Sequence, residues 1–209
     1  HSFPTRRSSD LITGAPTGIG SEVVKAMAAA GENCVFALAR STEKLRELAA
    51  VCSNSSVRSM VIPLVVDLLD FDYQDLKNRI LQHTDRIDLL IHNAGFLVNK
   101  GFEETTPDEF DKTLDVNVKV PYFLTQALLP LLAPGAHVVM VSSMGGFQGS
   151  DKYAGLSAYS AAKGALSVRG ESLAVELAPR GVAVNSVALG AVNTEMLQQA
   201  FPGYQAPVT

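Results

Sequence analysis

Tyr159 and Lys163 form the first pair of residues whose types and spacing could do chemistry together. They stand four positions apart in a stretch of helical periodicity, and side chains at this spacing share one face of a helix. An ammonium group beside a phenol favours the phenolate and lowers a pKa that starts at about 10. A tyrosine adjusted in this way can act as a general acid or base near neutral pH. The pair therefore predicts proton transfer, although the same spacing also arises by chance in many helices.

A glycine-rich loop at residues 13–20 is the second candidate. It reads Thr-Gly-Ala-Pro-Thr-Gly-Ile-Gly and lies between an apolar run and a segment of helical period. Glycines in that position let the backbone turn tightly and approach a pyrophosphate, which then lies at the helix N-terminus. The spacing Gly-x3-Gly-x-Gly differs from the commoner Gly-x-Gly-x-x-Gly fingerprint, so a purely structural turn is the alternative.

Short apolar runs alternate along the chain with longer segments of helical period. The runs rich in strand-forming residues span 11–13, 34–39, 61–66, 87–92, 137–142 and 182–188. The helical segments span 21–30, 42–50, 72–83, 107–132 and 157–178. Continuous apolar strands that alternate with helices predict a parallel sheet covered on both faces. We therefore predict one α/β domain with a doubly wound parallel sheet, whose strand ends would position both motifs.

Composition favours one folded domain and excludes several classes of protein. Of 209 residues, 47% are hydrophobic and 18% are charged, and the formal net charge is −4. These values exclude a disordered chain and argue against a nucleic-acid partner. No apolar run approaches the roughly 20 residues of a membrane-spanning helix, and no signal peptide is visible. Cys34 and Cys52 predict neither a disulfide framework nor a metal site, so we expect a cytoplasmic protein without a metal.

The first ten residues, HSFPTRRSSD, do not fit this pattern. They are polar and basic without periodicity, and they run directly into an apolar strand that is shorter than the usual length of about five or six residues. Together with Leu11 they resemble the conceptual translation of a sequencing-library adapter. We therefore predict a non-native or disordered leader over residues 1–10 and a domain over residues 11–209. A natural flexible terminus is the alternative.

Several features occur together in the order that is typical of the short-chain dehydrogenase/reductase family. They are the loop at 13–20, His92-Asn93-Ala94-Gly95, Asn117, Ser142-Ser143 and the Tyr159/Lys163 pair. The chain resembles this family from residue 11 to about residue 196. The resemblance implies a Rossmann-type sheet, a nicotinamide cofactor and reversible hydride transfer between a carbonyl and an alcohol.

The resemblance also implies roles for four candidate catalytic residues. Tyr159 is expected to exchange a proton with the substrate oxygen, and Lys163 to lower the pKa of that tyrosine and hold the nicotinamide ribose. Ser143 is expected to orient the substrate. Ser142 is its rival, because Ser143 precedes Tyr159 by 16 positions, a longer separation than is usual in the family. Asn117 is expected to anchor a proton relay, or else to be a mid-helix residue bonded locally.

A larger set of residues is implied to bind the cofactor. These are Gly14, Thr17, Gly18, Ile19, Gly20, Arg40, Ser41, Asp67, Asn93, Ala94, Gly95, Tyr159, Lys163, Val192 and Thr194. Ala39 stands where an acidic residue would bind the ribose of NAD, whereas the following arginine and serine suit the 2′-phosphate of NADP. We therefore favour NADP(H), with NAD(H) as the alternative. The alternative for Arg40 is a solvated charge at a helix start, and for Asp67, which is expected at the adenine ring, a turn residue.

Three further expectations concern the substrate, the partners and the chain end. Loops at 96–101, 147–156 and 196–204 are mostly apolar or small and would favour an uncharged carbonyl compound. Family members are usually homodimers or homotetramers. Leucines of the 107–132 segment have the spacing of a packed face or, alternatively, of ordinary core. The resemblance implies a final strand that is missing after residue 194.

The alternative function is that of a dinucleotide-binding regulatory protein, or of an inactive fragment, without turnover. The presence of Ser143, Tyr159 and Lys163 together argues against this alternative, because a sensor does not need a phenol beside an ammonium group. A scaffold protein that binds no nucleotide is the remaining alternative.

Overall fold

The computed structural model describes residues 8–31, 33–53 and 59–206. Its strands are β1 (Ser9–Thr13), β2 (Cys34–Ala39), β3 (Met60–Val65), β4 (Ile87–His92), β5 (Leu132–Ser143) and β6 (Ala183–Leu189). Its helices are α1 (Gly18–Ala30), α2 (Thr42–Ser53), α3 (Tyr73–Leu81), α4 (Pro107–Leu114), α5 (Val120–Leu128), α6 (Ser157–Leu177) and α7 (Glu195–Ala200). A π-helical turn at Asp115–Lys119 joins α4 to α5. Short 3-10 turns lie at Phe102–Glu104, Leu129–Leu131, Met144–Gly146 and Ala178–Arg180.

The six strands form one parallel sheet in the order β3-β2-β1-β4-β5-β6. The order changes direction between β1 and β4, where Leu11 and Leu90 lie side by side. In a doubly wound sheet a ligand lies beyond the carboxyl ends of the strands at this switch point. The predicted fold class is confirmed. β6 forms one edge of the sheet, and the further strand expected beside it stays a prediction.

Two apolar layers lie on opposite faces of the sheet. Successive residues of a strand point to opposite faces, so Leu11 belongs to one layer and Ile12 to the other. The first layer packs the sheet against α3, α5 and α6, and the second packs it against α1 and α2. Each fully buried leucine or isoleucine contributes roughly 1.5–3 kcal/mol to this packing. Four leucines considered for an exposed packing face are ordinary core of the first layer: Leu124, Leu128, Leu131 and Leu132.

β1 begins at Ser9, earlier than the sequence predicts. Ser9 and Asp10 pair with β2 in the sheet, and Asp10 is only 2% exposed. The backbone N–H of Ser9 also donates to a carboxylate oxygen of Asp88 at 2.9 Å. Ser9 and Asp10, which the predicted boundary places in the leader, are thus part of β1 because they lie in register with β2; the non-native origin of the leader stays a prediction. Residues 1–7 of the predicted leader lie outside the described residues.

The long helix predicted at 107–132 is assembled from α4, the π-helical turn and α5. Thr106 and Glu109 form a capping box at its start, followed by Pro107 in the first turn. The π-helical turn contains Asn117, and such turns are frequent at functional sites. None of the helices in the described part of the chain has the combination of length and apolar character that crossing a bilayer requires.

Candidate active site

The glycine loop after β1 is packed so tightly that three of its positions exclude a side chain. Gly14 has φ +67° and Gly18 has φ +54°, a region that other residues rarely adopt. A Cβ on Gly20 would collide with the carbonyl oxygen of Gly14. Thr17 and Ile19 complete the loop and are half-buried. Within the described residues no side chain caps the first turn of α1 and none there is acidic, so this helix N-terminus can receive an anion.

Asn93 and Thr13 hold the glycine loop against the end of β4. Asn93 Nδ2 donates to the carbonyl oxygens of Thr13 at 3.1 Å and Gly14 at 3.0 Å. The hydroxyl oxygen of Thr13 accepts from the backbone N–H groups of Asn93 at 3.1 Å and Ala94 at 3.0 Å. The side chain of Asn93 therefore supports the loop by binding the protein backbone.

The residues predicted for the adenosine end lie at the carboxyl ends of β2 and β3. Arg40 is exposed, and the hydroxyl oxygen of Ser41 accepts from the backbone N–H of Lys44 at 3.3 Å. Asp67 follows β3, where its carboxylate accepts from the backbone N–H of Leu69 at 3.0 Å. This contact is the turn role considered as the alternative for Asp67. Because β2 and β3 are neighbours in the sheet, all three predicted residues share one edge.

Ser142 and Ser143, at the carboxyl end of β5, bind different partners. The Ser142 hydroxyl is buried, donates to the carbonyl oxygen of Lys163 at 2.8 Å and accepts from the Ser167 hydroxyl at 2.8 Å. The Ser143 oxygen is half-buried and accepts from the backbone N–H of Gly145 at 3.2 Å. The Ser142 proton is thus committed to α6, whereas the Ser143 proton can be donated to another oxygen.

Two glycines bring the loop after β5 into contact with α6. A Cβ on Gly146 would collide with the backbone of that helix. A Cβ on Gly145 would lie 3.2 Å from the hydroxyl oxygen of Ser160 and 3.5 Å from that of Ser143. The turn of α6 that carries Tyr159 therefore lies against the loop that begins at Ser143.

Burial dominates the electrostatics of Tyr159 and Lys163. Desolvation raises the pKa of Tyr159 to about 12 and lowers the pKa of Lys163 to about 8, because burial disfavours the charged form of each group. Lys163 Nζ lies 5.6 Å from the centroid of the Tyr159 ring and donates to the carbonyl oxygen of Val141 at 2.8 Å. Burial is the cause of both shifts, and the expected effect of Lys163 on the pKa of Tyr159 stays a prediction. Tyr159 keeps its proton at neutral pH.

Asn117 and Lys163 converge on Gly95. A Cβ on Gly95 would lie 3.2 Å from Asn117 Oδ1 and 3.6 Å from Lys163 Nζ. Asn117 is fully buried, and its Nδ2 donates to the carbonyl oxygens of Phe96 at 2.7 Å and Thr113 at 2.8 Å. The bond to Thr113 is the local role considered as an alternative for Asn117. The bond to Phe96 ties the π-helical turn to the loop after β4.

The helix α7 lies over the glycine loop. Its N-cap residue is Thr194, whose hydroxyl oxygen accepts a hydrogen bond from the first turn. A Cβ on Gly18 would lie 2.9 Å from the methyl carbon of Thr194, and one on Gly95 would lie 3.6 Å from Met196 Cε. Val192, the other residue predicted at the nicotinamide, is half-buried just before α7. α7 therefore places one side chain at each end of the candidate site.

Sequence patterns did not single out three residues that support the site. Ser167 binds Ser142, and Gly146 allows the contact with α6, while Met196 reaches the Gly95 region. Two of them gave a signal: Ser167 stands four residues after Lys163 on the same helix face, and Met196 is the first residue of the predicted substrate loop 196–204. Among residues 8–31, 33–53 and 59–206 there is no group of three His, Cys, Asp or Glu side chains that could hold a metal ion.

The fold and the site together define a class of protein. A doubly wound sheet carries a glycine loop for phosphate, and a buried Tyr–Lys pair lies at the same carboxyl edge, as in nucleotide-dependent oxidoreductases. The sequence profile of the short chain dehydrogenases matches residues 10–205. The chain therefore belongs to the short-chain dehydrogenase/reductase family, oxidoreductases that act between CH–OH and C=O groups.

Relatives and solved structures agree with this membership. Carbonyl reductase (NADPH) 2 from Sus scrofa is 34% identical over 190 residues, which cover 89% of this chain and 72% of that protein. The uncharacterized oxidoreductase YciK from Escherichia coli is 36% identical over 198 residues, which cover 92% of this chain and 76% of that protein. A short chain dehydrogenase from Shigella flexneri, complexed with NADP, has a TM-score of 0.86 and 34% identity over 95% of this chain and 83% of that chain.

Proposed function

We propose that this chain reduces an uncharged carbonyl compound to an alcohol with NADPH, and catalyses the reverse reaction with the oxidised cofactor. The proposal rests on one observation. The loop that begins at Ser143 packs against the turn of α6 that carries Tyr159, one turn before Lys163 and at the same sheet edge as the glycine loop. Burial that raises the pKa of Tyr159 to about 12 keeps this phenol protonated at neutral pH, as an acid in a reduction requires.

The residues at the switch point fit a dinucleotide. A Cβ on Gly14, Gly18 or Gly20 would collide with neighbouring protein atoms, so the glycines keep the loop in its tight turn. The loop backbone and the N-terminus of α1 would receive the pyrophosphate. Val192 and Thr194, just before α7, would contact the nicotinamide carboxamide. The reduced nicotinamide supplies the hydride when it is bound.

The adenosine end favours NADP(H) over NAD(H). Ala39 contributes no carboxylate that would repel a phosphate, and the exposed guanidinium of Arg40 follows it. A guanidinium binds a phosphate by charge and by paired hydrogen bonds, and Ser41 would add its hydroxyl. The NADPH in the name of the Sus scrofa relative and the NADP in the Shigella flexneri complex support this choice.

Each catalytic candidate has a distinct task in the proposed reduction. Ser143 donates a hydrogen bond to the substrate carbonyl oxygen, and Tyr159 transfers its phenolic proton to the same oxygen as negative charge develops there. Lys163 holds the nicotinamide ribose and stabilises the phenolate that remains. Asn117 fixes the backbone at Phe96 and takes part in returning a proton to Tyr159.

Apolar and aromatic side chains around the entrance favour an uncharged substrate. Phe147 and Tyr153 are exposed in the loop after β5, and Met196 is exposed on α7. Asn99 Nδ2 donates to the carbonyl oxygen of Ala200 at 2.7 Å, which ties α7 to the loop after β4. Such a rim suits a hydrophobic ketone or aldehyde.

The test combines cofactor binding with turnover. Purified protein is titrated into NADPH and into NADH while the fluorescence of the cofactor is followed, since the chain has no tryptophan. NADPH oxidation is then followed with a panel of hydrophobic, acidic and sugar-like carbonyl compounds. We expect tighter binding of NADPH, and turnover that Tyr159→Phe lowers by about 10²–10⁴-fold while NADPH binding persists. Binding without any Tyr159-dependent turnover would favour the regulatory alternative.

We further propose that two copies pair through α5 and α6. Val168 and Val175 on α6 are 62% and 76% exposed, and Tyr122 and Phe123 on α5 are also exposed. The guanidinium of Arg169, which follows Val168 on α6, lies 5.8 Å from the centroid of the Tyr122 ring, so the two helices meet at this face. Contiguous apolar side chains of this size mark interaction surfaces. Light scattering during size exclusion should give a dimer, and Val168→Glu with Val175→Glu should give a monomer. Val51→Glu, at a position 57% exposed on α2, should leave the dimer intact.

A further inference from the structure

An ion pair connects the adenosine end of the site to the helix that covers the glycine loop. Lys44 Nζ lies 3.0 Å from Glu195 Oε2 and 3.4 Å from Glu195 Oε1. Lys44 belongs to the first turn of α2, where its backbone N–H donates to Ser41, and Glu195 is the first residue of α7. The pair therefore joins two elements that are 151 positions apart in sequence.

The ends of this pair lie at the two parts of the site that a dinucleotide would bridge. Ser41 follows Arg40, the residue proposed to bind the 2′-phosphate. Thr194, which precedes Glu195, has its methyl carbon 2.9 Å from the position of a Cβ on Gly18. The Lys44 side chain thus extends from the 2′-phosphate region to the start of α7.

We propose that Lys44 is a second cationic residue that selects the 2′-phosphate of the cofactor, and that Glu195 competes with this phosphate for the Lys44 ammonium group. The inference rests on the proposed NADP(H) dependence. It adds a specificity-determining residue to Arg40 and makes the attachment of α7 to α2 depend on which cofactor is bound.

The strength of the ion pair is compatible with this exchange. The side chains of Lys44 and Glu195 are 47% and 52% exposed, and exposed pairs of this kind are weak. A phosphate monoester carries a charge of about −1.5 to −2 at neutral pH, so it attracts an ammonium group more strongly than one carboxylate does. A lysine side chain has a flexible stem and three donors, which allows Nζ to change partner without movement of α2.

The other charges around Lys44 make a second cation useful. Glu43 lies in the same turn, and its Oε2 accepts from the Ser41 hydroxyl at 3.5 Å. Two carboxylates, Glu43 and Glu195, would therefore lie near a 2′-phosphate bound by Arg40 and Ser41. When Lys44 leaves Glu195 for the phosphate, the cationic charge beside the phosphate doubles.

The experiment measures dissociation constants of NADPH and NADH for wild type, Lys44→Gln, Glu195→Gln and the double variant. Lys44→Gln should weaken NADPH binding by about 5–10-fold and NADH binding by less than about 2-fold. Glu195→Gln should tighten NADPH binding by about 2–4-fold relative to NADH, and this gain should vanish in the double variant. Lys44→Arg should retain the preference for NADPH. Calorimetry with adenosine 2′-monophosphate and 5′-monophosphate should reproduce the Lys44 effect with the first ligand only.

A matched control separates competition from general electrostatics. Glu22→Gln also removes one exposed carboxylate from an ion pair, that of Glu22 with Lys25, and should leave the ratio of the NADPH and NADH dissociation constants unchanged. An unchanged ratio in Lys44→Gln, or a Glu195→Gln gain that survives in the double variant, would overturn the inference while the proposed function stands. A wild-type chain that binds neither nucleotide would contradict the proposed function itself, and the inference with it.

Discussion

The Ser142 hydroxyl donates a 2.8 Å hydrogen bond to the backbone carbonyl oxygen of Lys163. Neighbouring residues of a strand point to opposite faces, so this bond also determines where the next hydroxyl, that of Ser143, is directed. One serine fastens the end of β5 to the helix that carries the acid/base candidate. The other remains available to the substrate.

Replacing each serine should therefore have a different effect. Ser143→Ala should lower kcat by about 10²–10³-fold, as removal of a hydrogen-bond donor to a developing oxyanion does, with the melting temperature unchanged. Ser142→Ala should lower the free energy of unfolding by about 0.5–1.5 kcal/mol, because it removes a buried hydrogen bond between β5 and α6, while the Ser167 hydroxyl can still donate to the carbonyl oxygen of Lys163 at 3.1 Å. NADPH oxidation and thermal unfolding of both variants check this. The reverse assignment, with kcat lost mainly in Ser142→Ala, would make Ser142 the substrate ligand.

Lys163 should reduce stability at neutral pH while it supports function. Its pKa falls from 10.5 to about 8 in the folded protein, so between these values the unfolded chain binds more protons and stability rises with pH. Below about pH 8 the full cost of the buried ammonium group remains. Lys163→Met should raise the free energy of unfolding at pH 7 by about 1–3 kcal/mol and abolish turnover.

Urea unfolding at pH 7 and at pH 9.5 measures this effect. The advantage of Lys163→Met over wild type should shrink at the higher pH, where the wild-type lysine loses its charge. Lys25→Met, at an exposed position on α1, should change stability by no more than about 0.5 kcal/mol at either pH. A variant that is less stable than wild type at both pH values would mean that the bond to Val141 outweighs the cost of burial.

The sequence predicts the elements well where local pattern and tertiary environment agree. β2 and β4 have the predicted limits, Cys34–Ala39 and Ile87–His92, because β2 is a continuous apolar run bounded by polar residues and β4 is apolar at four of its six positions. The glycine loop also lies where its spacing predicts, between β1 and α1. In these segments local preference and tertiary structure agree. Most of the apolar residues that favour a strand are buried in the sheet, and the glycine loop that favours a turn follows the end of a strand.

Other features depend on contacts that no local pattern contains. The π-helical turn at Asp115–Lys119 departs from the helical period over a single turn only. The choice between Ser142 and Ser143 depends on which face of β5 meets α6. The raised pKa of Tyr159 comes from burial, which the spacing between Tyr159 and Lys163 does not reveal. Periodicity identifies which residues are neighbours along a helix. It does not tell how deeply a side chain is buried, or which face of a strand contacts a given helix.

Gly20 should be replaceable by no other residue, whereas Gly31 at the other end of α1 should tolerate alanine. A Cβ on Gly20 would collide with the Gly14 carbonyl oxygen and lie 2.7 Å from Asn93 Nδ2. Gly31 has an extended backbone with φ 168°, and the nearest atom to its Cβ would be 3.8 Å away. Gly20→Ala should cost about 1–3 kcal/mol of stability and abolish NADPH binding. Full NADPH affinity in Gly20→Ala would show that NADPH binding does not depend on this packing of the loop.

Replacing Asp10 by an apolar residue should stabilise the sheet. It is 2% exposed in β1, and burial raises its pKa above 3.8 although the Ser8 hydroxyl donates to Asp10 Oδ1 at 2.6 Å. The folded protein therefore binds more protons than the unfolded chain between 3.8 and the raised pKa, so stability falls as pH rises through this window. Above this window the buried carboxylate is charged, and a buried charge is costly. Asp10→Val should raise the free energy of unfolding at pH 7 by about 1–3 kcal/mol.

Urea unfolding of Asp10→Val and Asp10→Asn separates the charge from the shape of this side chain. Asn keeps an oxygen that can accept from Ser8 but carries no charge, so Asp10→Asn should recover the part of the gain that arises from charge alone. Both gains should shrink at pH 3.5, where the wild-type carboxyl group is protonated in the folded protein. A gain of the same size at pH 3.5 and pH 7 would assign the cost to poor packing of a polar residue rather than to a buried charge. In that case Asp10→Val would stabilise the protein and Asp10→Asn would not.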